Sequence, residues 1–103
     1  MKKKEALDII LKLEKLEDRF NAAYDILEHS PPISQDKMLM LYAYFKQATH
    51  GRYIEKIEEN EVSNYIQTFK NNAWSQVKGL TIEQAKQKYI EFTLKVIEED
   101  YED

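Results

Sequence analysis

Apolar side chains recur every three or four residues along most of this chain. That spacing is typical of one face of an α-helix, whereas a half-buried β-strand would alternate apolar and polar residues. Glycine and proline occur only twice each, so few positions interrupt a helix. The pattern predicts an all-α protein. With 103 residues, we expect residues 1–103 to form a single domain around one core.

The composition indicates a folded protein and excludes several functions. Hydrophobic residues make up 43% and charged residues 33% of the chain, which is typical of globular domains. A net charge of −4 disfavours a nucleic-acid partner, which would require an excess of lysine and arginine. A few local cations could still bind one anionic ligand. The chain has no cysteine, so disulfides and thiolate metal sites are impossible.

The sequence indicates neither a membrane span nor a secretion signal. No run approaches the ~18 apolar residues of a transmembrane helix. Charged residues interrupt the stretch that follows the opening Met-Lys-Lys-Lys, so an apolar signal core is missing. We therefore expect a soluble, cytoplasmic protein with no nucleic-acid partner and no stable insertion into a membrane.

The first helical stripe lies in residues 4–29, with apolar positions spaced four, three, four, three and four residues apart. It consists of Ile9, Leu13, Leu16, Phe20, Ala23 and Leu27. The spacing predicts either one helix of about seven turns or two helices that join near Asp18, whose side chain could cap the second. Ser30-Pro31-Pro32 would end the helix. Residues 1–18 would form an N-terminal helical extension.

A second helix is predicted over residues 35–49, with Ser34 as its N-cap and Gly51 as the left-handed residue that ends it. Its inward stripe is expected to contain Met38, Leu41, Tyr42, Phe45 and Ala48. Residues 52–62 are expected to form an ordered loop held by the side chains of Tyr53, Ile54 and Ile57.

Two further helices complete the prediction. The third would begin at Ser63 or Asn64 and end at Lys78-Gly79, with an inward stripe of Ile66, Phe69, Ala73, Trp74 and Val77. Thr81 and Gln84 match a capping box for a fourth helix from Ile82 to about Glu99. That helix has two stripes, which predicts a position in the middle of the bundle. They are Ala85, Tyr89, Phe92 and Val96, and Ile90, Leu94, Ile97 and Tyr101. The acidic tail, residues 98–103, is expected to fray.

The sequence offers no catalytic or metal-binding constellation. His29 and His50 each lie at a predicted helix C-terminus, where a cation interacts favourably with the helix dipole. No pair of carboxylates is fixed on an apolar face at glycosidase or protease spacing, no serine lies beside a plausible base, and no metal-ligand spacing is present. We therefore expect a protein that is not an enzyme and that needs no metal or cofactor.

Lysines and aromatic residues form the one distinctive set: Tyr42, Lys46, Lys70, Lys78 and Tyr89. Tyr42 and Lys46 are four residues apart and therefore share one face of a helix. In one interpretation, the lysines simply extend beside aromatic rings at the surface of the bundle. In the other, lysines hold a phosphate-bearing ligand while the rings contact its base. Spacing alone leaves both open.

Two motifs resemble the acyl-CoA-binding protein family. The first is similar to the family's "LY…YKQAT.G" and comprises Leu41-Tyr42, Lys46-Gln47-Ala48-Thr49 and Gly51. The second is similar to its "K..AW…KG.S.E.A…YI" and comprises Lys70, Ala73-Trp74, Lys78-Gly79, Thr81, Glu83, Ala85 and Tyr89-Ile90. With Phe20, Ala23 and Leu27, the resemblance covers about 75 residues in the right order.

The resemblance implies a four-helix up-down bundle, here with an N-terminal helical extension, and a monomeric carrier that binds long-chain acyl-CoA esters without altering them. By motif position, Lys46 and Lys70 would hold the ribose 3′-phosphate. Tyr42 and Tyr89 would contact phosphate or adenine. The acyl groove between the first two helices of the bundle would be lined by Ala23, Leu27, Met38 and Leu39.

Several residues depart from the family pattern. Phe45 stands where the family often has tyrosine, and Glu28 stands where many members carry lysine. Tyr24 is bulky where a small residue is common, and Asn71 replaces the first of two tryptophans. These differences bear on affinity and chain length more than on the class of ligand. Glu28 and Tyr24 also motivate a rival hypothesis, a helical interaction module that keeps the bundle but has lost the ligand. In that hypothesis the apolar stripe Ile9-Leu13-Leu16 would dock a partner helix or self-associate. The alternative for this stripe is a longer first helix that folds onto its own bundle.

Overall fold

The computed structural model describes residues 1–54 and 61–103, with side chains from residue 64 onwards in the second range. The described residues form helices and connecting segments and contain no strand, which confirms the all-α prediction. The helices are α1 (Lys3–Leu11), α2 (Leu16–Glu28), α3 (Gln35–His50), α4 (Glu61–Gln76) and α5 (Ile82–Asp100).

The N-terminal stripe forms two helices, but their junction differs from the predicted one. The break falls at residues 12–15, and Asp18 lies in the first turn of α2 instead of capping it. Arg19 accounts for the position of the break, because its Nε donates to the carbonyl of Leu13 at 2.6 Å and its Nη2 to that of Leu11 at 3.3 Å. A guanidinium thus satisfies carbonyls that the end of α1 leaves without helical partners.

The face of α1 that packs on the bundle is also shifted from the predicted one. Ala6 and Ile10 are fully buried, whereas Ile9, which was placed in the stripe, is exposed. The helix contacts α2 and α5. Because these contacts set the rotation of α1, the apolar side of the extension faces its own bundle.

The acidic tail does not fray, contrary to expectation. Tyr101 is buried, and its hydroxyl donates to the carbonyl of Ile26 at 3.5 Å. The amide of Lys3 donates to the carbonyl of Glu102 at 2.8 Å. Lys37 Nζ lies 3.0 Å from both carboxylate oxygens of Asp100, and this hydrogen bond raises the pKa of Lys37. Tertiary contacts to three helices therefore override the local tendency of a charged end to unwind.

Both ends of α3 match the prediction. Ser34 Oγ accepts from the amide of Lys37 at 3.4 Å, and Gly51 has a φ of 71°. A Cβ at Gly51 would also come within 2.9 Å of the Ile82 side chain, so glycine meets both a backbone and a steric requirement there. One stripe residue was misplaced: Met38 is 53% exposed and does not point into the core.

The predicted inward face of α4 is confirmed at Ala73 and Trp74, which are buried, but is wrong in the first half of the helix and at its C-terminus. Ile66 and Phe69 are exposed, whereas Gln67 and Asn71 are buried and joined by a 3.0 Å hydrogen bond from Gln67 Nε2 to Asn71 Oδ1. Two amide side chains thus occupy buried positions of α4, where a helical pattern is expected to have apolar residues. The helix begins at Glu61 and ends at Gln76, and Gly79 does not have a positive φ.

The predicted loop after α3 is only partly described. Tyr53 packs edge-on against Trp74 with ring centroids 5.3 Å apart, as expected of a residue that holds the loop. Ile54 is exposed and does not hold it. Ile57 lies outside the described residues.

α5 is the central helix, as its two stripes predicted. The capping box is present, because the amide of Gln84 donates to Thr81 Oγ1 at 3.1 Å and the amide of Thr81 donates to Gln84 Oε1 at 2.9 Å. The helix contacts α1, α2 and α3, and buries residues on both stripes, including Tyr89 and Ile97.

Gln47 connects α3, α4 and the segment before α5. Its side chain is fully buried. Its Nε2 lies 2.7 Å from the carbonyl of Leu80, 3.2 Å from that of Lys78 and 3.3 Å from that of Gly51. Its Oε1 accepts from Trp74 Nε1 at 2.9 Å. One amide therefore satisfies buried polar groups from two other parts of the chain.

Replacing this amide should be strongly destabilising. In Gln47→Leu, the Trp74 N–H and the facing carbonyls lose their partner inside the core, so we expect the free energy of unfolding to fall by about 3 kcal/mol. Urea unfolding followed by tryptophan fluorescence measures this. Gln87→Leu, at an exposed position of α5, is the matched control and should change stability by less than about 0.5 kcal/mol. Equal effects of the two changes would contradict a structural role for Gln47.

Candidate functional site

An apolar groove of about 210 Å³ lies between α2 and α3. Most of its walls come from these two helices, and α5 contributes a tyrosine to it. The lining residues are Tyr24, Leu27, Glu28, Ile33, Met38, Leu41, Tyr42, Phe45 and Tyr89. An open apolar depression with a few polar groups is the usual form of a small-molecule site.

Three aromatic rings of one cluster line the groove, Tyr24, Phe45 and Tyr89, and they pack around a fourth, Phe20, which is buried in the core. Phe45 stacks on Tyr24 with centroids 5.1 Å apart and on Phe20 at 6.0 Å. Tyr89 lies 5.0 Å from Phe20 and 5.9 Å from Phe45 in tilted geometry. Offset and tilted pairs at these distances are favourable beyond simple burial. This side of the groove is therefore rigid.

Two phenols of this cluster have raised pKa values. Burial is the main cause for Tyr89, whose pKa lies well above that of an exposed tyrosine, and nearby Tyr24 and Glu28 add to the effect. A hydrogen bond to Glu28 is the main cause of the raised pKa of Tyr24. Both rings are consequently neutral at physiological pH, and the groove side is uncharged except for Glu28.

Two ammonium groups from different helices meet at one ring beside the groove. Lys46 Nζ, from α3, lies 5.9 Å from the centroid of Tyr42 and 5.7 Å from that of Trp74. Lys70 Nζ, from α4, lies 5.4 Å from the centroid of Tyr42. Within the described part of the chain, neither ammonium forms an ion pair with a carboxylate. Lys46 Nζ also lies 3.5 Å from Nε2 of His50. The two ammonium groups and the Tyr42 ring together form a cationic edge of the groove.

The structure brings most of the predicted head-group residues together. Tyr42 and Tyr89 both line the groove, and Lys46 and Lys70 flank the Tyr42 ring. Tyr89 is only 3% exposed, so it presents far less surface than Tyr42. Lys78, the remaining lysine of the set, lies 5.9 Å from the ring of Tyr53 instead.

The predicted acyl-groove residues divide into two pairs. Leu27 and Met38 line the groove, and the 53% exposure of Met38 is explained by its position on this open depression. Ala23 does not line it, because its side chain is fully buried in the core. Leu39 is half-buried and lies outside the lining. The family resemblance placed both in the groove, but motif position does not fix the rotation of each helix to within one residue.

Sequence reasoning assigned Leu41 only to the inward stripe of its helix and missed a second lining residue, Ile33, altogether. It immediately precedes the N-cap of α3, a position where an apolar side chain often packs against the first turn of its helix. That signal was available, but the two prolines before it made the segment look like a simple connection. The structure shows instead that this connection contributes to the groove wall.

The described residues show neither a metal-binding cluster nor a membrane-spanning helix. They contain no group of three histidine, cysteine, aspartate or glutamate side chains that could hold a metal ion. Residues 1–54 and 61–103 also contain no helix that is both long and apolar enough to cross a bilayer.

The groove and the adjacent cations define the class: a helical protein built to bind a ligand with an apolar part and an anionic part. A family model described as "Acyl CoA binding protein" matches residues 17–93. The chain belongs to the acyl-CoA-binding protein family. The matched region begins within α2, so α1 lies outside it, and it ends before the last turns of α5.

Individual relatives agree with this assignment. Acyl-CoA-binding protein homolog 3 of Caenorhabditis elegans is 30% identical over 80 residues, which cover 73% of this chain and 67% of that protein. Acyl-CoA-binding protein of Dictyostelium discoideum is 36% identical over 69 residues, covering 67% of this chain and 80% of that protein. Acyl-CoA-binding domain-containing protein 5A of Danio rerio is 35% identical over 80 residues, which are only 16% of its length.

The raised pKa of Tyr89 predicts a loss of stability at alkaline pH. As the pH rises above about 10, tyrosines of the unfolded chain ionise first, so the unfolded state is favoured and stability falls. In Tyr89→Phe this contribution is absent. The slope of stability against pH above about 10 should therefore be shallower by up to about 1.4 kcal/mol per pH unit.

Urea unfolding between about pH 8 and pH 11 tests this. Tyr65→Phe is the control, because Tyr65 is an exposed tyrosine on α4, and its slope should match that of the unmodified chain. Parallel profiles for Tyr89→Phe and the unmodified chain would show that the Tyr89 phenol is not perturbed by burial.

Proposed function

We propose that this protein is a non-catalytic carrier and buffer of long-chain fatty acyl-CoA esters, acting in the cytoplasm as a monomer. The observation that carries the proposal is the position of Lys46 and Lys70, whose ammonium groups lie 5.9 Å and 5.4 Å from the same ring, Tyr42, at the edge of an apolar groove. An acyl-CoA has the matching combination of phosphates, a flat adenine ring and an apolar chain.

In the proposed complex, Lys46 and Lys70 hold the ribose 3′-phosphate of the CoA. Tyr42 contacts phosphate or adenine, and Tyr89 does so to a smaller extent because little of its surface is exposed. The acyl chain lies in the groove against Leu27 and Met38. No residue of the site is required to change a covalent bond of the ligand.

The energetics favour acylated over free CoA. A charge-assisted hydrogen bond contributes roughly 1.5–3 kcal/mol, and each buried methylene adds about 0.8 kcal/mol. A chain that shelters several methylenes would therefore gain more free energy in the groove than either lysine provides. This is the property expected of a buffer for acylated rather than free CoA.

The rival hypothesis, a helical module without a ligand, rested partly on the stripe Ile9-Leu13-Leu16 as a docking face. In the structure Leu16 packs against the core of the bundle, whereas Ile9 stays exposed. Only part of that stripe is therefore open to a partner. A titration with palmitoyl-CoA separates the two hypotheses directly, since the interaction module would show no saturable heat or fluorescence change.

Removing one phosphate contact should weaken binding without abolishing it. For Lys46→Ala and for Lys70→Ala we expect a loss of about 2 kcal/mol, roughly thirtyfold in Kd for palmitoyl-CoA by calorimetry. Lys4→Ala is the control, because Lys4 is an exposed lysine on α1, a helix that does not line the groove, and its Kd should stay within about twofold. Near-unchanged affinity of Lys46→Ala would exclude Lys46 from the site.

The identity of the contacted phosphate can be tested separately. Palmitoyl-3′-dephospho-CoA should bind the unmodified protein at least about tenfold more weakly than palmitoyl-CoA. In Lys46→Ala this difference should shrink, since one of the two groups that recognise the phosphate is gone. Equal affinity of the two ligands for the unmodified protein would mean that the lysine pair contacts another part of the ligand.

A further inference from the structure

The groove is closed at one end by stacked rings. Tyr24 of α2 lies against Phe45 of α3, whereas Leu27 and Met38 line the groove further along. Residue numbers therefore rise along α2 but fall along α3 from this end of the groove to the other, which means that the two helices run antiparallel. Of its lining residues, Tyr24 is the first on α2 and Phe45 the last on α3. Since their centroids are 5.1 Å apart, they block the groove at that end.

The inner ring of this pair is supported by the core. Phe45 packs on Phe20, which is itself buried. Tyr24 lies outside it and is 38% exposed, so its stack on Phe45 is the contact that keeps the Tyr24 ring at this end of the groove.

At its other end the groove adjoins a second hollow. This hollow, of about 310 Å³, shares Leu27, Ile33 and Met38 with the groove. It also adds Ser30, Pro31 and Pro32 from the connection between α2 and α3, and we call it the proline hollow. Proline rings restrict the backbone, so its wall is stiff. The groove of about 210 Å³ alone is smaller than most small-molecule sites. The adjacent proline hollow enlarges the apolar space that a ligand can occupy.

We propose that the acyl chain enters beside Tyr42, is turned away from the Tyr24–Phe45 end, and places its terminal methylenes in the proline hollow. Tyr24 is then a specificity-determining residue that sets the direction of the chain. The inference rests on the proposed acyl-CoA function and adds to it a distal subsite for the apolar end of the ligand.

A chain-length series tests the subsite. Affinity of the unmodified protein should rise by about fourfold for each sheltered methylene from butyryl-CoA to palmitoyl-CoA. Ser30→Trp places an indole in the proline hollow. It should weaken the binding of palmitoyl-CoA by roughly tenfold or more, which is the contribution of about two buried methylenes. The Kd for butyryl-CoA should stay within about twofold of that of the unmodified protein. Tyr65→Trp, on the exposed face of α4, is the matched control and should affect neither ligand.

A second variant tests the directing role of Tyr24. Tyr24→Ala removes the ring that closes the groove and so offers the chain a second path. In this background the penalty that Ser30→Trp imposes on palmitoyl-CoA should fall to within about threefold. A penalty of the same size in both backgrounds would show that Tyr24 does not direct the chain.

The absence of cysteine permits a direct probe that does not depend on a bulky substitution. In Ser30→Cys, labelled with an environment-sensitive fluorophore, palmitoyl-CoA should shift the emission whereas butyryl-CoA should not. The same label at Tyr65→Cys should respond to neither ligand. If both ligands or neither shift the label at position 30 while both bind by calorimetry, the subsite is refuted and the proposed function stands. If no acyl-CoA binds at all, both fail.

Discussion

The fully buried side chain of Gln47 is the interaction on which the rest of the site depends. Its hydrogen bonds join the end of α3 to Trp74 of α4 and to the segment that leads into α5. Lys46 is the residue immediately before Gln47 on α3, so the same turn that points Gln47 inward presents Lys46 outward, near Trp74. Lys70 lies one turn before Trp74 on α4. Fixing α4 against α3 through one amide therefore also fixes the two ammonium groups around a common ring.

The groove depends on a second constraint, the packing of aromatic rings where α2, α3 and α5 meet. Phe20, Phe45 and Tyr89 contact one another, and α5 can hold Tyr89 there because it lies in the middle of the bundle. The rings separate α2 from α3 far enough to leave an apolar depression that side chains do not fill. Keeping such a surface open to solvent forgoes stability that burial would provide, which is a common property of binding sites.

Periodicity and local chemistry predicted the helices better than their rotation. Ser34, Gly51 and the Thr81–Gln84 box fixed helix ends because each acts through its nearest neighbours in sequence. The buried face of α4 could not be read in this way. Its Gln67–Asn71 pair can be buried only because the two amides form a hydrogen bond with each other. A hydropathy pattern treats each residue by itself and therefore cannot predict such a pair. The same limit explains why the sequence placed Ala23 and Leu39 in the groove, and why it missed that contacts from Lys3 and Lys37 hold the acidic tail.

The charges of the site fix which way round an acyl-CoA would lie. The overall charge of −4 matters little at the site, because exposed charges beyond about 8 Å are largely screened at physiological ionic strength. The charged groups next to the groove therefore determine the orientation of a bound acyl-CoA. Glu28 places a carboxylate on the groove lining, so a phosphate in the groove would meet a like charge in a largely apolar setting. At the Tyr42 edge the same phosphate would meet two ammonium groups. The departure of Glu28 from the family's usual lysine therefore opposes the reversed orientation of the ligand, while the apolar chain, which carries no charge, can pass it at little cost.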